Sequence, residues 1–279
     1  MNDPLCLEAA WWETLVTALG EFAGGNGFSK ALLGLSGGMD SSLAAVIAAK
    51  ALGPEHVLGV IMPSPYSTAG SITDALALAS NLSMPTITMP IADLMETFKK
   101  TLAAAMTPES EENDHTEENI QSRIRGTLLM ALSNKKRSML IATGNKSELG
   151  VGYCTLYGDM AGAIAPLGDL TKTKIYRLAR WVNDHLDRCI PETVFTKPPS
   201  AELRPGQTDQ DNLPPYEQLD PILERWLNGH PSLEQMGREG FDLDIAETVI
   251  NLAVKNRFKI LQAPPVIALS DTTLDKSLF

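Results

Sequence analysis

A glycine turn flanked by hydroxyl and acidic side chains is the sharpest chemical signal in the sequence. It reads SGGMDSS from Ser36 to Ser42 and follows a short apolar run, Lys30 to Leu35, that predicts a buried strand. Two glycines let the backbone turn tightly, and the start of the next helix offers unpaired N–H groups and partial positive charge to an anion. The segment is therefore a candidate phosphate loop. A glycine turn with an ordinary Ser/Asp helix cap is the alternative.

Two familiar phosphate-binding motifs do not fit this segment. No lysine follows the glycines, as a Walker A loop requires, and no third glycine stands at the spacing of the dinucleotide fingerprint. The motif must therefore belong to another class of phosphate loop, or be a simple turn.

The elements that position this loop alternate between strand and helix. Apolar runs predict strands at 30–35, 57–62, 86–89 and 138–142. Helical spacing predicts helices at 42–52, 71–81, 91–106, 117–134, 171–185, 217–228 and 245–256, and the stretch 106–116 between two of them is polar and acidic. This alternation predicts one doubly wound α/β domain over residues 1–279, with a mainly parallel sheet and helices on both faces.

Residues 190–216 differ in composition from the rest of the chain. Six prolines lie there among polar residues, at Pro191, Pro198, Pro199, Pro205, Pro214 and Pro215. The segment is longer than the usual structureless connection in a compact domain, so it is either a functional lid or a disordered linker. Because helices are predicted after it, we favour the lid.

Composition and charge exclude several classes of protein. Hydrophobic residues make up 44% of the 279, which is enough for a substantial core and excludes disorder as the main state. The 34 acidic residues exceed the 23 basic ones, giving a net charge of −11. This charge argues against broad, non-specific binding to nucleic acid or to an anionic membrane.

Cysteine spacing and the absence of membrane signals predict a cytoplasmic protein. Cys6, Cys154 and Cys189 lie far apart, without zinc-ligand pairing or a disulfide framework, and we interpret them as buried small side chains. No apolar run is long enough to cross a bilayer, and the amino terminus is acidic where a signal peptide would be basic.

Further motifs follow the loop in a fixed order. They read ENIQSRIR at 118–125, ATGNKSE at 142–148, YGD at 157–159, PLGDLTK at 166–172 and PPSAELRPGQ at 198–207. With the SGGxDS loop, these motifs resemble the N-type ATP pyrophosphatases and, within them, the NAD synthetases. The resemblance runs from about Gly34 to Pro265.

The resemblance implies a two-step reaction. ATP adenylates the nicotinate carboxylate of deamido-NAD and releases pyrophosphate, and ammonia then displaces AMP to give NAD. A carboxylate is a poor acyl donor, and AMP supplies the leaving group. No covalent enzyme nucleophile is needed, so the protein acts by positioning and charge stabilisation.

The resemblance also implies which residues bind the ATP phosphates and magnesium. Glu148 matches a magnesium-binding carboxylate, and a hard cation prefers such oxygen ligands. A helix-start glutamate in solvent is the alternative. The phosphate loop is implied to wrap the ATP phosphates with hydroxyls, backbone N–H groups and a metal-linked carboxylate, through Ser36, Gly37, Gly38, Asp40, Ser41 and Ser42.

Three residues are implied to contact deamido-NAD, two of them near the reacting carboxylate. Asp159 matches an aspartate beside the nicotinate ring, where it can orient ammonia or accept its proton. Lys172 matches a lysine that meets ATP phosphate and the dinucleotide and offsets charge during adenylation. Arg125 matches a nucleotide-phosphate ligand of deamido-NAD better than its neighbour Arg123. A turn aspartate, a solvated lysine and a surface ion pair are the respective alternatives.

Other matches concern the adenosine site and the lid. Met62 follows the second predicted strand, as the family's adenosine-binding segment does, and Thr143 lies at the end of the fourth strand, where ligands of open α/β sheets collect. Ser200 belongs to the proline-rich segment, which resembles a lid that orders over nucleotide. Near the end, Ile260 and Leu261 stand where the resemblance implies arginines, which puts a phosphate role for that segment in doubt.

The resemblance implies a homodimer whose dinucleotide site is completed across two subunits, with the 117–134 helix in the interface. Ammonia rather than glutamine is the expected nitrogen donor, because fewer residues precede Ser36 than the glutaminase domain of larger relatives needs.

Two alternative functions stay open. One is another amidating or thiolating enzyme of the superfamily, and the other is a nucleotide-binding regulator without catalysis, which has no evident need for Glu148, Asp159 and Lys172 together.

Overall fold

A computed structural model describes residues 6–105, 114–271 and 273–274. Met106, the last residue of the helix predicted over 91–106, and most of the acidic stretch 106–116 lie outside these residues.

The strands are β1 (Ala31–Gly34), β2 (Val57–Ile61), β3 (Thr86–Thr88) and β4 (Met139–Leu140). The helices are α1 (Leu7–Gly25), α2 (Met39–Leu52), α3 (Ala69–Leu82), α4 (Ala92–Leu102), α5 (Thr116–Lys136), α6 (Lys146–Val151), α7 (Lys172–His185), α8 (Glu192–Thr196), α9 (Tyr216–Leu227), α10 (Leu233–Arg238) and α11 (Leu243–Ile260). Two single turns of 3-10 helix cover Pro54–His56 and Asp209–Asp211.

The described strands form one parallel sheet in the order β3-β2-β1-β4. In the register of the sheet, Ala31 of β1 pairs with Val57 on one side and Met139 on the other, while Gly59 pairs with Thr86. The carboxyl ends of the strands therefore lie along one edge, where ligands of open α/β sheets bind. The phosphate-loop motif begins just beyond the end of β1.

Helices cover both faces of the sheet. Leu33 of β1 is buried in a cluster with Leu15 and Ile47 of helices α1 and α2. The preceding Leu32 points to the other face, where it is buried with Ile124 of α5. Successive strand residues point to opposite faces, so two buried faces require helices on both. The predicted doubly wound α/β fold is confirmed.

Several elements differ from the predicted ones. Helix α2 begins at Met39, three residues early, because Gly38 is extended and Met39 opens the helix directly after the turn. Helix α1 was not predicted, although Trp11, Leu15, Leu19 and Ala23 are buried at helical spacing. The segment 190–216 is not wholly a loop, since α8 and the turn at Asp209–Asp211 lie within it.

The carboxyl-terminal helices have a core of their own. Leu223 of α9, Met236 of α10 and Val249 of α11 are buried together with Leu149 of α6. This cluster fixes the short helix α6, which carries Glu148, against the last third of the chain. Within the described ranges, no helix is long and apolar enough to span a membrane.

Candidate active site

The phosphate-loop candidate is a tight turn packed against α3. Gly37 has a φ of +77°, in the left-handed region that favours glycine. A Cβ atom at this position would lie 2.0 Å from the carbonyl oxygen of Ser71. Both the backbone conformation and the lack of space therefore require glycine at position 37.

The serines of the loop bond mainly to one another. Ser36 Oγ accepts from the N–H of Gly38 at 3.1 Å and lies 3.0 Å from Ser41 Oγ. Ser42 Oγ donates to the carbonyl oxygen of Gly38 at 2.7 Å. Ser36 remains exposed, whereas Ser42 is buried and, like Gly37, lines neither of the two cavities described below. The Ser42 hydroxyl therefore bonds to the backbone at the start of α2 and does not face either cavity.

A cavity of about 260 Å³ opens at the carboxyl ends of β1 and β2. A smaller neighbour of about 130 Å³ shares part of its wall, including Asp159 and Thr143. Of the residues predicted for the site, the larger cavity is lined by Ser36, Gly38, Asp40, Met62, Arg125, Thr143, Glu148, Asp159, Lys172 and Ser200. Ser41 lines only the smaller one. Residues spread over 165 positions of the sequence thus meet in one place.

Lys172 joins the two predicted magnesium carboxylates. Its Nζ atom donates to Asp40 Oδ2 at 2.5 Å and to Glu148 Oε1 at 3.1 Å. Burial raises the pKa of Glu148, and the lysine counteracts that rise. Burial opposes the charge of Lys172 too, but Asp40 and Glu148 together hold its pKa well above the usual value. The lysine is therefore an ammonium between two acidic groups.

Asn145 orients this cluster and was missed by the sequence analysis. It is fully buried, accepts from the N–H of Glu148 as the N-cap of α6, and donates to Asp40 Oδ1 at 3.0 Å. A capping residue followed three positions later by glutamate is a recognisable capping box, so the helix start at 146 could have been predicted. The bond to Asp40 could not, because 105 positions separate the two residues.

Asp159 lies where the two cavities meet. Its Oδ1 accepts from the N–H of Thr155 at 2.8 Å, and its own N–H donates to Ser122 Oγ at 3.0 Å. Asp159 keeps accessible surface where it lines the cavities, and desolvation by the surrounding protein raises its pKa to about 6. Near neutral pH this carboxylate can accept a proton.

Arg125 faces the larger cavity and Arg123 does not. Arg125 Nε donates to the carbonyl oxygen of Met62 at 3.1 Å, which ties α5 to the end of β2. Burial lowers the pKa of Arg125 to about 10, so it stays charged at neutral pH. Arg123 is exposed and donates to the carbonyl oxygen of Leu156. The choice of Arg125 fits this geometry.

Two charged residues that the sequence analysis missed tie the proline-rich segment to the phosphate loop and to the start of α3. Lys197 Nζ donates to the carbonyl oxygen of Gly37 at 2.9 Å and to Ser71 Oγ at 2.8 Å. Glu202 accepts from Ser71 Oγ at 2.5 Å and from the N–H of Thr68 at 3.2 Å, at the start of α3. Both residues line the larger cavity. Ser200 instead donates to the carbonyl oxygen of Gln207 within the segment.

The segment that departs from the family pattern serves packing. Ile260 is buried in the carboxyl-terminal core, and Leu261 is exposed. Lys259 Nζ donates to the carbonyl oxygens of Gly152 and Cys154 at 2.7 and 2.9 Å, so it holds the loop that leads to Asp159.

The cysteines were expected to be buried, but Cys6 is exposed, Cys154 is partly buried and only Cys189 is fully buried.

The parallel sheet, with a glycine turn and a helix start at the carboxyl end of its first strand, defines an open α/β protein with the kind of strand end at which anionic ligands of this fold class bind. The family model NAD synthase matches residues 11–263. The chain belongs to the NAD synthase family.

Three relatives illustrate the likeness. The glutamine-dependent NAD(+) synthetase of Synechocystis is 51% identical over 260 residues, which cover 93% of this chain and 46% of that protein. A solved glutamine-dependent NAD+ synthetase from Acinetobacter baumannii, in complex with ADP, is 36% identical, covers 98% of this chain and 50% of that one, and has a TM-score of 0.69. An NH3-dependent NAD synthetase from Campylobacter jejuni is 30% identical, covers 90% and 96% of the two chains, and has a TM-score of 0.72. The chain thus spans about half the length of the curated relatives it matches.

Proposed function

We propose that this chain makes NAD by adenylating the nicotinate carboxylate of deamido-NAD with ATP and then transferring ammonia to it. The observation that carries the proposal is the convergence, in one cavity, of the phosphate loop, the cluster of Asp40, Lys172 and Glu148, and the carboxylate of Asp159. Family membership supports the same reaction.

In the first step, a carboxylate oxygen of deamido-NAD attacks the α-phosphorus of ATP, and the bond to the β-phosphate breaks to release pyrophosphate. Ser36 and Gly38 of the loop bind the phosphates, with Met62 and Thr143 beside the adenosine. Arg125 pairs with phosphate of the dinucleotide. The ammonium of Lys172 offsets negative charge at the reacting centre, where a pre-positioned cation needs no reorganisation.

Asp40 and Glu148 fit a magnesium site. The ammonium of Lys172 contacts both carboxylates, so their oxygens converge on one position that is already occupied by a positive charge. A metal cation beside it would be attracted by the same oxygens. Within the described ranges, no group of three or more His, Cys, Asp and Glu side chains gathers as a metal cluster. Magnesium commonly uses one or two carboxylates and takes its other ligands from phosphates and water. When bound, the ion neutralises phosphate charge.

In the second step, the nitrogen of ammonia attacks the acyl carbon and the bond to AMP breaks. The nitrogen then carries a surplus proton. Asp159 accepts it, since burial keeps the pKa of this carboxyl at about 6 while leaving it ionised at neutral pH. Glu202 and Lys197 hold the proline-rich segment over the cavity, where it limits the access of water to the adenylate.

Ammonia is the nitrogen donor that we propose for this chain assayed alone. The Campylobacter jejuni enzyme, matched over 96% of its length, is described as NH3-dependent. Burial raises the pKa values of Cys154 and Cys189, which disfavours the thiolate that glutamine hydrolysis needs. The glutamine-dependent relatives are about twice as long as the matched region.

We also propose a homodimer in the cytoplasm. Leu94 and Phe98 of α4, a helix without a buried residue, are 37% and 45% exposed, and Met130 of α5 is 40% exposed. A second copy packed against α4 and α5 would bury them. Sedimentation should show a dimer that Phe98→Glu weakens, and a monomer at all concentrations would contradict the dimer.

The test of the function is pyrophosphate release by the purified chain. We expect release from ATP to require deamido-NAD, and NAD to form with ammonium. ATP binding without release under any condition would instead favour a nucleotide-binding regulator. NAD formation with glutamine as effective as with ammonium would overturn the nitrogen donor while leaving the adenylation intact.

A further inference from the structure

Asp220 of α9 is a buried carboxylate that lies behind the candidate active site. It is 2% exposed and lines neither cavity. Its Oδ1 accepts from Ser147 Oγ at 2.5 Å, and its Oδ2 accepts from the N–H and the Oγ1 of Thr173 at 2.8 and 2.7 Å. Three donors from two other helices thus meet one side chain.

These bonds fix the start of α7. Its N-cap residue, Thr171, makes no capping bond with its own side chain. The N–H of Thr173 is satisfied by Asp220, and the N–H of Lys172 donates to Ser147 Oγ at 2.8 Å. A carboxylate is also favoured at a helix N-terminus by the helix dipole. Asp220 therefore caps α7 from a distant part of the chain.

The same bonds fix the start of α6. Ser147 precedes Glu148, and Thr173 follows Lys172, so each neighbour of the Lys172–Glu148 pair is held by Asp220. A shift of α7 relative to α6 would change the distance of 3.1 Å between Lys172 Nζ and Glu148 Oε1.

We infer that Asp220 is a positioning residue for the reaction, which sets the distance between Lys172 and Glu148 by tying the starts of α7 and α6 together. The inference rests on the proposed function of those two residues. It differs from a purely structural role, in which Asp220 would only attach α9 to the fold.

A neutral amide cannot replace this carboxylate. The three donors bond to two carboxylate oxygens, whereas asparagine has only one side-chain oxygen. Its NH2 group would therefore face either the Ser147 hydroxyl or the N–H of Thr173. Burial raises the pKa of Asp220, and the bonds from Ser147 and Thr173 oppose that rise. The replacement therefore keeps the shape of the side chain but breaks at least one of the bonds that position α6 or α7.

The test compares Asp220→Asn with Asp242→Ala. Asp242 caps α11 through bonds to Asp244 and Ile245 and lines neither cavity, so its loss reports the effect of a missing helix cap alone. Each variant is measured for melting temperature, for single-turnover pyrophosphate release, and for the magnesium concentration that gives half of the maximal rate.

For Asp220→Asn we expect adenylation to slow about ten- to a hundred-fold, since bonds to a charged group are lost, and the magnesium requirement to rise. Asp242→Ala should melt earlier with an unchanged rate and magnesium dependence. A lower melting temperature for Asp220→Asn with wild-type kinetics would overturn the positioning role.

Three further variants keep the result decisive. If Asp220→Asn does not fold, Thr173→Val removes one of its bonds and should slow adenylation several-fold in the same direction, whereas a wild-type rate would overturn the inference. Glu148→Gln and Lys172→Met are measured in parallel. If these two keep wild-type rates, the proposed site itself fails, whereas if they slow and Asp220→Asn does not, only the positioning role fails.

Discussion

The Nζ atom of Lys172 lies 2.5 Å from Oδ2 of Asp40, although 132 positions separate the two residues. Asp40 is the second residue of α2 and belongs to the phosphate loop, and Lys172 is the first residue of α7. The same ammonium reaches Glu148, so one cation holds both carboxylates proposed to bind magnesium. Lys172 and the proposed magnesium ion would therefore share the same two carboxylates, and the charge of each carboxylate would affect both.

Glu148→Gln should raise the magnesium requirement, because the amide keeps the shape of the side chain but loses the charge that a hard cation prefers. The measurement is the rate of pyrophosphate release as a function of magnesium at saturating ATP, and excess magnesium should restore part of the rate. Glu247→Gln, at an exposed position of α11, is the matched control. An identical magnesium curve for Glu148→Gln and wild type would remove Glu148 from the metal site.

Ser36→Ala should weaken the use of ATP about ten- to a hundred-fold, because a hydrogen bond to a charged phosphate contributes roughly 1.5–3 kcal/mol. The hydroxyl also accepts from the N–H of Gly38, so its loss loosens the turn. ATP binding by calorimetry and the KM for ATP are the measurements. Ser133→Ala removes a hydroxyl that donates to the carbonyl oxygen of Ser138, away from both cavities, and serves as the control. Wild-type ATP affinity in Ser36→Ala would count against the phosphate loop.

Lys197→Met should raise the KM for ATP about ten-fold. The lysine holds the proline-rich segment against Gly37 and Ser71 and adds a positive charge beside the phosphate loop. Lys50→Met, at the exposed end of α2, controls for the general loss of a surface charge. If both variants have the same KM as wild type, the segment contacts the loop without contributing to ATP binding.

How much of this site could be predicted from the sequence depends on how far apart along the chain two hydrogen-bonded residues lie. The burial of β1 on both faces, with Leu32 and Leu33 pointing in opposite directions, follows from its short apolar run, and the glycine turn follows from residue types alone. The contacts of Lys197 with Gly37 and of Asp220 with Thr173 could not be predicted. They join segments far apart in the chain, and no local pattern specifies which loop reaches which helix.

Asp159 should give the second step a pH dependence centred near 6. Its pKa is raised to about 6, so the carboxylate that accepts a proton from the attacking nitrogen is lost as the pH falls through that value. The measurement is the decay of preformed adenylate at a fixed concentration of free ammonia, which removes the titration of ammonium itself. Asp159→Asn should be slower by roughly 10²–10⁴-fold and should lack this limb of the profile. A limb of equal midpoint in Asp159→Asn would assign it to another group.

The transfer of oxygen from substrate to AMP tests the central claim most directly. Deamido-NAD whose nicotinate carboxylate carries isotopically heavy oxygen is turned over with ATP and ammonium, and the products are analysed by mass spectrometry. Adenylation of the carboxylate predicts one heavy oxygen in the phosphate of AMP and none in pyrophosphate. NAD formation with unlabelled AMP would contradict adenylation by this chain.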